Sequence, residues 1–283
     1  PLLYAAREGH FESVDVLLDA GVDINSVGPG EKTSPLMIAV VDGHFDLAMH
    51  LLEKDADPTL ANIAGGTPLY ATLNVKWAAD VGYPQPDATQ NATSYLELVQ
   101  ALIDNGADVD AQLTNGLWFT GYNFDLARAS TVGATPFWRA AQVNDVAGMK
   151  LLIENGADPH IKTGANVGPL QIASGAGVHG NDEITAPGGW MPGVRYLVEE
   201  IGLDVNDADD TGYTALHNAA ARGDNEMILL LVSHGAKVDP VSSRGQTVAD
   251  MANGPRQRIQ PFPETIALLL SLGSPFNHKC VSC

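Results

Sequence analysis

The two cysteines, Cys280 and Cys283, stand as C-x-x-C in Asn277-His278-Lys279-Cys280-Val281-Ser282-Cys283. A thiol pair at this spacing supports three chemistries. It can close a small disulfide loop in an oxidising compartment. It can be a free dithiol or, with His278 and ligands from elsewhere, a metal site. Haem attachment needs C-x-x-C-H; no His follows Cys283, so that reading requires the native chain to continue. A second group, His179, Asp182 and Glu183, lies in a Gly-rich stretch whose composition reads first as a solvated flap. No G-x-S-x-G, H-E-x-x-H or phosphate loop is present. His50, His160 and His234 lack metal-like spacing, and Asp204 to Asp210 lacks the Gly and distal Glu of a calcium loop. The expectation is a non-enzyme without a cofactor.

The elements that carry these residues are clearest from Tyr213 to Gly245. Thr214-Ala215-Leu216-His217 opens a short helix whose Ala219, Ala220 and Ala221 let neighbours approach closely. Gly223 and Asp224 break it. Glu226 to His234 forms a second helix with apolar Met227, Ile228, Leu230, Leu231 and Val232. Gly235 ends that helix in the left-handed conformation. Such a unit buries no core alone, so it needs copies on both sides.

Copies are present. A Pro-Leu-like pair recurs at Pro1, Pro35, Pro68, Pro136, Pro169, Ala215 and Val248, in steps of 34, 33, 68, 33, 46 and 33 residues. The second-helix stop recurs at Gly21, Asp55, Gly106, Gly156, Gly202, Gly235 and Gly273. SPLMIA (Ser34 to Ala39), TPLYAT (Thr67 to Thr72), TPFWRA (Thr135 to Ala140) and TALHNA (Thr214 to Ala219), with GADVDA and GADPHI after the second helices, resemble the ankyrin repeat. The resemblance covers nearly the whole chain. It implies an all-α ankyrin-repeat solenoid with β-hairpin-like loops. Residues 1–273 divide into units near 1–32, 33–65, 66–132, 133–166, 167–212, 213–245 and 246–273, followed by a Cys-containing tail, 274–283. Insertions are expected at 75–92, 113–132 and 175–192. Pro1 falls in mid-motif, so further repeats are expected before it. The last helix, from Glu264, is apolar nearly all round; the tail or a partner is expected to cover it.

Length alone allows two ordinary domains, but repeats grow without enlarging one core, so one elongated domain is expected. The net charge is −19. Nucleic acid is therefore a poor partner, and anionic membrane is disfavoured for the same reason. No apolar run reaches membrane-spanning length. The acidic residues of the hairpins read as a solvated rim.

The resemblance implies protein binding through a concave groove. Its partner-facing slots include Arg7, Glu8, Asp42, Gln142 and Arg222. The insertions add Trp77, Trp118, Tyr122 and Trp190, types favoured at hot spots. These rings either pin the insertions to the scaffold or bind a partner. The function expected is a non-enzymatic scaffold for a protein partner or another copy of the chain. One alternative is a redox, metal- or haem-carrying accessory protein using Cys280 and Cys283. The other is a sugar-like ligand site built by Trp77, Trp118, Tyr122 and Trp190. Absence of Cys from the repeats leans towards an exported protein, periplasmic or extracellular, and the sequence resembles long bacterial ankyrin proteins.

Overall fold

A computed structural model describes residues 1–77, 91–117, 130–176, 185–254 and 260–278. They fall into two compact units. The first draws on 1–125, 131–140 and 147–158, the second on 126–130, 141–146 and 159–283. In chain order the helices are α1 (Leu2–Arg7), α2 (Phe11–Asp19), α3 (Pro35–Val41), α4 (Phe45–Glu53), α5 (Pro68–Lys76), α6 (Tyr95–Asp104), α7 (Pro136–Gln142), α8 (Val146–Glu154), α9 (Pro169–Ala173), α10 (Met191–Arg195), α11 (Ala215–Ala221), α12 (Asn225–Ser233), α13 (Val248–Ala252) and α14 (Pro263–Ser271). The fold is an all-α solenoid of helix-turn-helix units. Among the described residues the only β-bridges are isolated ones, Ala208 with Thr214 and Val241 with Thr247.

Local chemistry explains where the helices begin. Pro stands at the first turn of α3, α5 and α9, where its missing N–H costs nothing. Ser34 Oγ accepts from Met37 N at 3.1 Å, and Thr67 Oγ1 from Tyr70 N at 3.4 Å. Ser94 and Glu97 cap α6 reciprocally, through Glu97 N to Ser94 Oγ (3.3 Å) and Ser94 N to Glu97 Oε2 (2.7 Å). The helices end on left-handed residues. All seven sequence-assigned stops have positive φ, from 64° at Asp55 to 98° at Gly106. Asp55 is the one non-Gly among them, a residue type that tolerates this conformation.

Packing depends on one small position per unit. Ala39, Thr72, Ala140, Ala173, Ala219 and Ala252 sit six residues into the motif, and each is 0% exposed. Thr72 fits because its hydroxyl donates to Pro68 O at 2.9 Å. Leu36, Leu69, Phe137, Leu216 and Val248 fill the space beside them, each contributing roughly 2 kcal/mol on leaving water. Hairpin tips link neighbouring units of one compact body. Ile63 N donates to Glu31 O and Thr114 N to Ala64 O; in the second body Asp210 N donates to Ala165 O and Ser243 N to Thr211 O.

The second helix of the fifth repeat differs from expectation. The sequence predicts one helix over Val194 to Ile201. The chain instead winds α10 and then widens into a π-helix, Tyr196–Glu200. Twelve positions separate Trp190 from Gly202, against eleven from Asp224 to Gly235. The wider turn takes up the extra residue and keeps Val194 and Leu197 fully buried.

The position after Pro-Leu divides the two bodies by chemistry. Met37, Tyr70 and Trp138 in the first are buried and bulky. In the second the slot is polar. Gln171 Oε1 accepts from Gly168 N (3.1 Å), His217 Nδ1 from Thr214 N (3.2 Å), and Asp250 Oδ2 from Thr247 N (3.0 Å). Each satisfies an N–H that a helix start leaves open. Burial pushes the His217 imidazole down to about 4, against the backbones of Gln246 and Pro240 and the charge of Asp209, which favour its cation.

Two outcomes follow. Gly235→Ala places a Cβ in open space at φ +88°, so only backbone strain is felt; urea denaturation should show a loss of about 1 kcal/mol. His217 is neutral in both folded and unfolded chains above pH 6.5. Between 6.5 and about 4 the unfolded chain takes a proton that the folded chain refuses, so stability falls as pH drops. Below about 4 that slope vanishes. From pH 7 to pH 5 the wild type should lose on the order of 2 kcal/mol more than His217→Gln, a side chain the Gln171 slot already accommodates.

Candidate functional site

In the second body, Arg222-Gly223-Asp224 turns α11 into α12. Asp224 caps α12 by accepting from Met227 N at 3.0 Å. Gly223 has φ +70°, and the Phe262 ring lies 2.5 Å from where its Cβ would stand. Only Gly admits that contact. The Trp190 ring stacks on Arg222, with Cζ 3.6 Å from the ring centroid. Two sequence-predicted partner residues, Trp190 and Arg222, are thus brought together, and a second ring that sequence reasoning missed, Phe262, lies against the adjoining Gly223.

Trp190 is held by the exit of the third insertion. Ala186 N donates to Val143 O at 2.8 Å. Gly188 and Gly189 turn the chain at positive φ, and Pro192 starts α10. Gly193 lies against Asn144; a Cβ there would come within 2.2 Å of Asn144 Oδ1. Asn144 is itself left-handed at φ 56°, and its Nδ2 donates to Ala173 O at 3.2 Å. Gln142, two residues earlier, is half-buried.

In the first body Arg7 and Glu8 are exposed at the α1–α2 turn. Asp42 sits half-buried at the α3–α4 turn. Burial raises its carboxyl above the usual range, assisted by Glu8 and opposed by Arg7 and His44. His44 Nε2 donates to Arg7 O at 2.8 Å, tying one turn to the next.

Trp77 has a pinning geometry. Its ring meets Tyr95 edge-on at 6.0 Å, and Lys76 Nζ lies 5.3 Å from the Trp77 centroid and 5.5 Å from that of Tyr95. Arg139, buried, donates from Nε to Asn74 Oδ1 (2.8 Å) and from Nη2 to Trp77 O (3.5 Å). Asn74 and Val75 are buried, and α5 continues past them to Lys76.

The return of the first insertion is fixed by residues the sequence did not single out. Asn91 accepts from Asp46 N (3.1 Å) and donates to Gly43 O (2.7 Å). Asp46 accepts from Ala92 N at 2.9 Å and Thr93 N at 2.8 Å. Burial alone would raise the Asp46 carboxyl, but the bonds from Thr93 and Ala92 outweigh it and hold the group below the carboxylate range. The second insertion is closed at its base by Leu113 N to Ala134 O (3.0 Å) and Gly133 N to Leu113 O (2.7 Å).

Trp118, Tyr122, Cys280 and Cys283 lie outside the described residues, as do His179, Asp182 and Glu183. His278 is described; it is exposed and its ring stands 4.4 Å from that of Phe276. No described helix is long and apolar enough to cross a membrane.

Known proteins place this geometry. The family profile described as ankyrin repeats (3 copies) matches residues 1–74 and 137–242. Alpha-latrocrustotoxin-Lt1a of Latrodectus tredecimguttatus is 26% identical over 224 residues, 78% of this chain and 13% of that protein. E3 ubiquitin-protein ligase KEG of Arabidopsis thaliana is 28% identical over 278 residues, 86% of this chain and 15% of that protein. NF-kappa-B inhibitor alpha of Sus scrofa is 32% identical over 102 residues, 29% of this chain and 32% of that protein. The chain thus spans a minor part of each of these relatives. The solved ankyrin repeat domain of human ASB11 superposes with a TM-score of 0.62 at 21% identity, covering 95% of this chain and 97% of that one.

Asp46→Ala should free the 91–93 return by removing both acceptors. Thermal denaturation should show a loss of about 1–2 kcal/mol, and hydrogen exchange at Ala92 and Thr93 should rise before that of α6.

Proposed function

The chain belongs to the ankyrin repeat family, and from that premise we propose that it is a non-enzymatic scaffold that binds a protein partner, or another copy of itself, through its helix–helix turns and aromatic insertions. Ankyrin repeats generally mediate protein–protein interaction. The name of the porcine relative, NF-kappa-B inhibitor alpha, describes a protein that acts on another protein, which supports the same class for this chain.

The observation that carries the reading is the Trp190–Arg222 stack. Trp and Arg are the residue types that dominate binding hot spots, and a cation already stacked on a ring loses little rotamer freedom when a partner arrives. Phe262 lies against Gly223, the residue next to Arg222, and adds an apolar ring near the turn. In the groove assigned by the family, Arg7, Glu8, Asp42 and Gln142 would supply polar contacts. The acidic balance, −19, favours a basic partner surface and disfavours a phosphate backbone.

The test uses the full chain as bait in native extract, with bound proteins identified by mass spectrometry. Arg222→Ala and Trp190→Ala should each weaken retention of the same partner by about ten-fold or more, the scale of a hot-spot loss. Replacement of both cysteines by Ser should leave retention unchanged. Undiminished binding by the two groove variants, with loss in the cysteine variant, would overturn the scaffold reading.

A further inference from the structure

Asn-Gly occurs four times in the chain, at Asn105, Asn115, Asn155 and Asn253. At such a step the backbone nitrogen of the Gly can attack the carboxamide carbon of the Asn, since no Cβ on the Gly obstructs the approach. The nitrogen gives its proton to water, a C–N bond closes a succinimide ring, and the C–NH2 bond breaks to release ammonia. Water then opens the ring to Asp or iso-Asp. The net change is Asn plus water to an acid plus ammonia, with no oxidant or reductant. The reaction needs the Gly amide and the Asn side chain to reach each other.

At Asn105 and Asn155 the fold engages both groups. These steps are the stops of α6 and α8. Gly106 N donates to Ile103 O at 2.9 Å and Gly156 N to Ile153 O at 3.0 Å. Asn105 Nδ2 donates to Ala101 O and Asn155 Nδ2 to Leu151 O, each at 2.8 Å. Asn155 also pairs with Gln100, donating to its Oε1 at 3.1 Å and accepting from its Nε2 at 3.3 Å. Reaction there requires the last helical turn to open. At the fourth step Gly254 is buried and left-handed, with φ 69°.

Asn115-Gly116 is placed differently. Both residues are exposed at a hairpin tip, and a Cβ on Gly116 would meet nothing within 4 Å. Gly116 N donates to Oδ1 of Asn115 itself, at 2.9 Å. The carboxamide is thus already folded over the nitrogen that attacks it, a proximity that lowers the entropic part of the barrier. Thr114 N and Asn115 N both donate to Ala64 O, at 2.8 and 3.2 Å, and steady the backbone before the step. Exposure does not separate Asn115 from Asn105, which is exposed as well. The hydrogen bonds do.

We infer that Asn115 is a site of spontaneous deamidation, selected by the fold from among identical dipeptides. The inference goes beyond the partner-binding reading and does not rest on it. The product adds a negative charge at a tip that links two repeats. In the iso-Asp form the backbone gains a carbon just before Leu117, which is buried against Gly66.

The test is incubation of the full chain in mildly alkaline buffer, followed by peptide mapping for the amide-to-acid mass change and for iso-Asp. A parallel incubation in urea removes the fold. In the folded chain Asn115 should convert faster than Asn105 and Asn155 by about ten-fold or more, the scale of the two hydrogen bonds each of those must break. In urea the three rates should converge. Asn115→Gln, whose longer side chain disfavours the ring, should stop ammonia release at this step and leave the other peptides unchanged. Conversion of Asn105 or Asn155 as fast as Asn115 in the folded chain would overturn the assignment, and so would a folded-state rate at Asn115 about ten-fold below its rate in urea.

Discussion

No repeat in this chain can bury its own helices. Every inner helix is five to nine residues long, too short to persist alone in water. It survives because a fully buried small residue, from Ala39 to Ala252, lets the adjacent repeat come close enough to exclude water on both sides. The caps, the left-handed stops and the carbonyl-to-amide links between hairpin tips all serve that approach. Stability is then a sum of nearest-neighbour terms, and a defect in one interface is felt mainly by the two repeats that share it.

Within that constraint the two bodies solve one problem differently. At the position after Pro-Leu, the first uses volume: Met37, Tyr70 and Trp138 fill the space between repeats. The second uses hydrogen bonds through Gln171, His217 and Asp250. Volume tolerates conservative replacement. A buried polar contact is costly when half-satisfied, and His217 makes the second body more sensitive to acid.

The repeat register was legible in the sequence because it rests on backbone chemistry. A stop needing positive φ selects Gly, or Asp at position 55, and such residues recur at fixed intervals whatever surrounds them. Insertion ends were less legible. Lys76 extends α5 past the expected boundary because Val75 finds burial and Trp77 finds Tyr95, contacts between residues far apart in sequence. Of the candidate site, the types Trp190 and Arg222 were readable, but their meeting was not. It depends on Asn144 and Ala186 placing the third insertion's exit. Phe262 gave no signal, since an aromatic after Pro-rich sequence points nowhere until Gly223 is seen beneath it. Asp250 could have been noticed as the one acid in a slot held elsewhere by Met37, Tyr70, Trp138, Gln171 and His217.

The widened turn at Tyr196–Glu200 bears on how such a chain changes length. A residue added to an ordinary helix rotates everything after it by about 100° and turns the buried face outward. Here the surplus residue is looped into a single wide winding, and Val194 and Leu197 stay in place on either side of the start of that winding. Outer helices are thus able to gain a residue without recruiting a new loop. Lineages of this chain could drift in repeat length one residue at a time at such windings, with the larger insertions confined to the turns and hairpins.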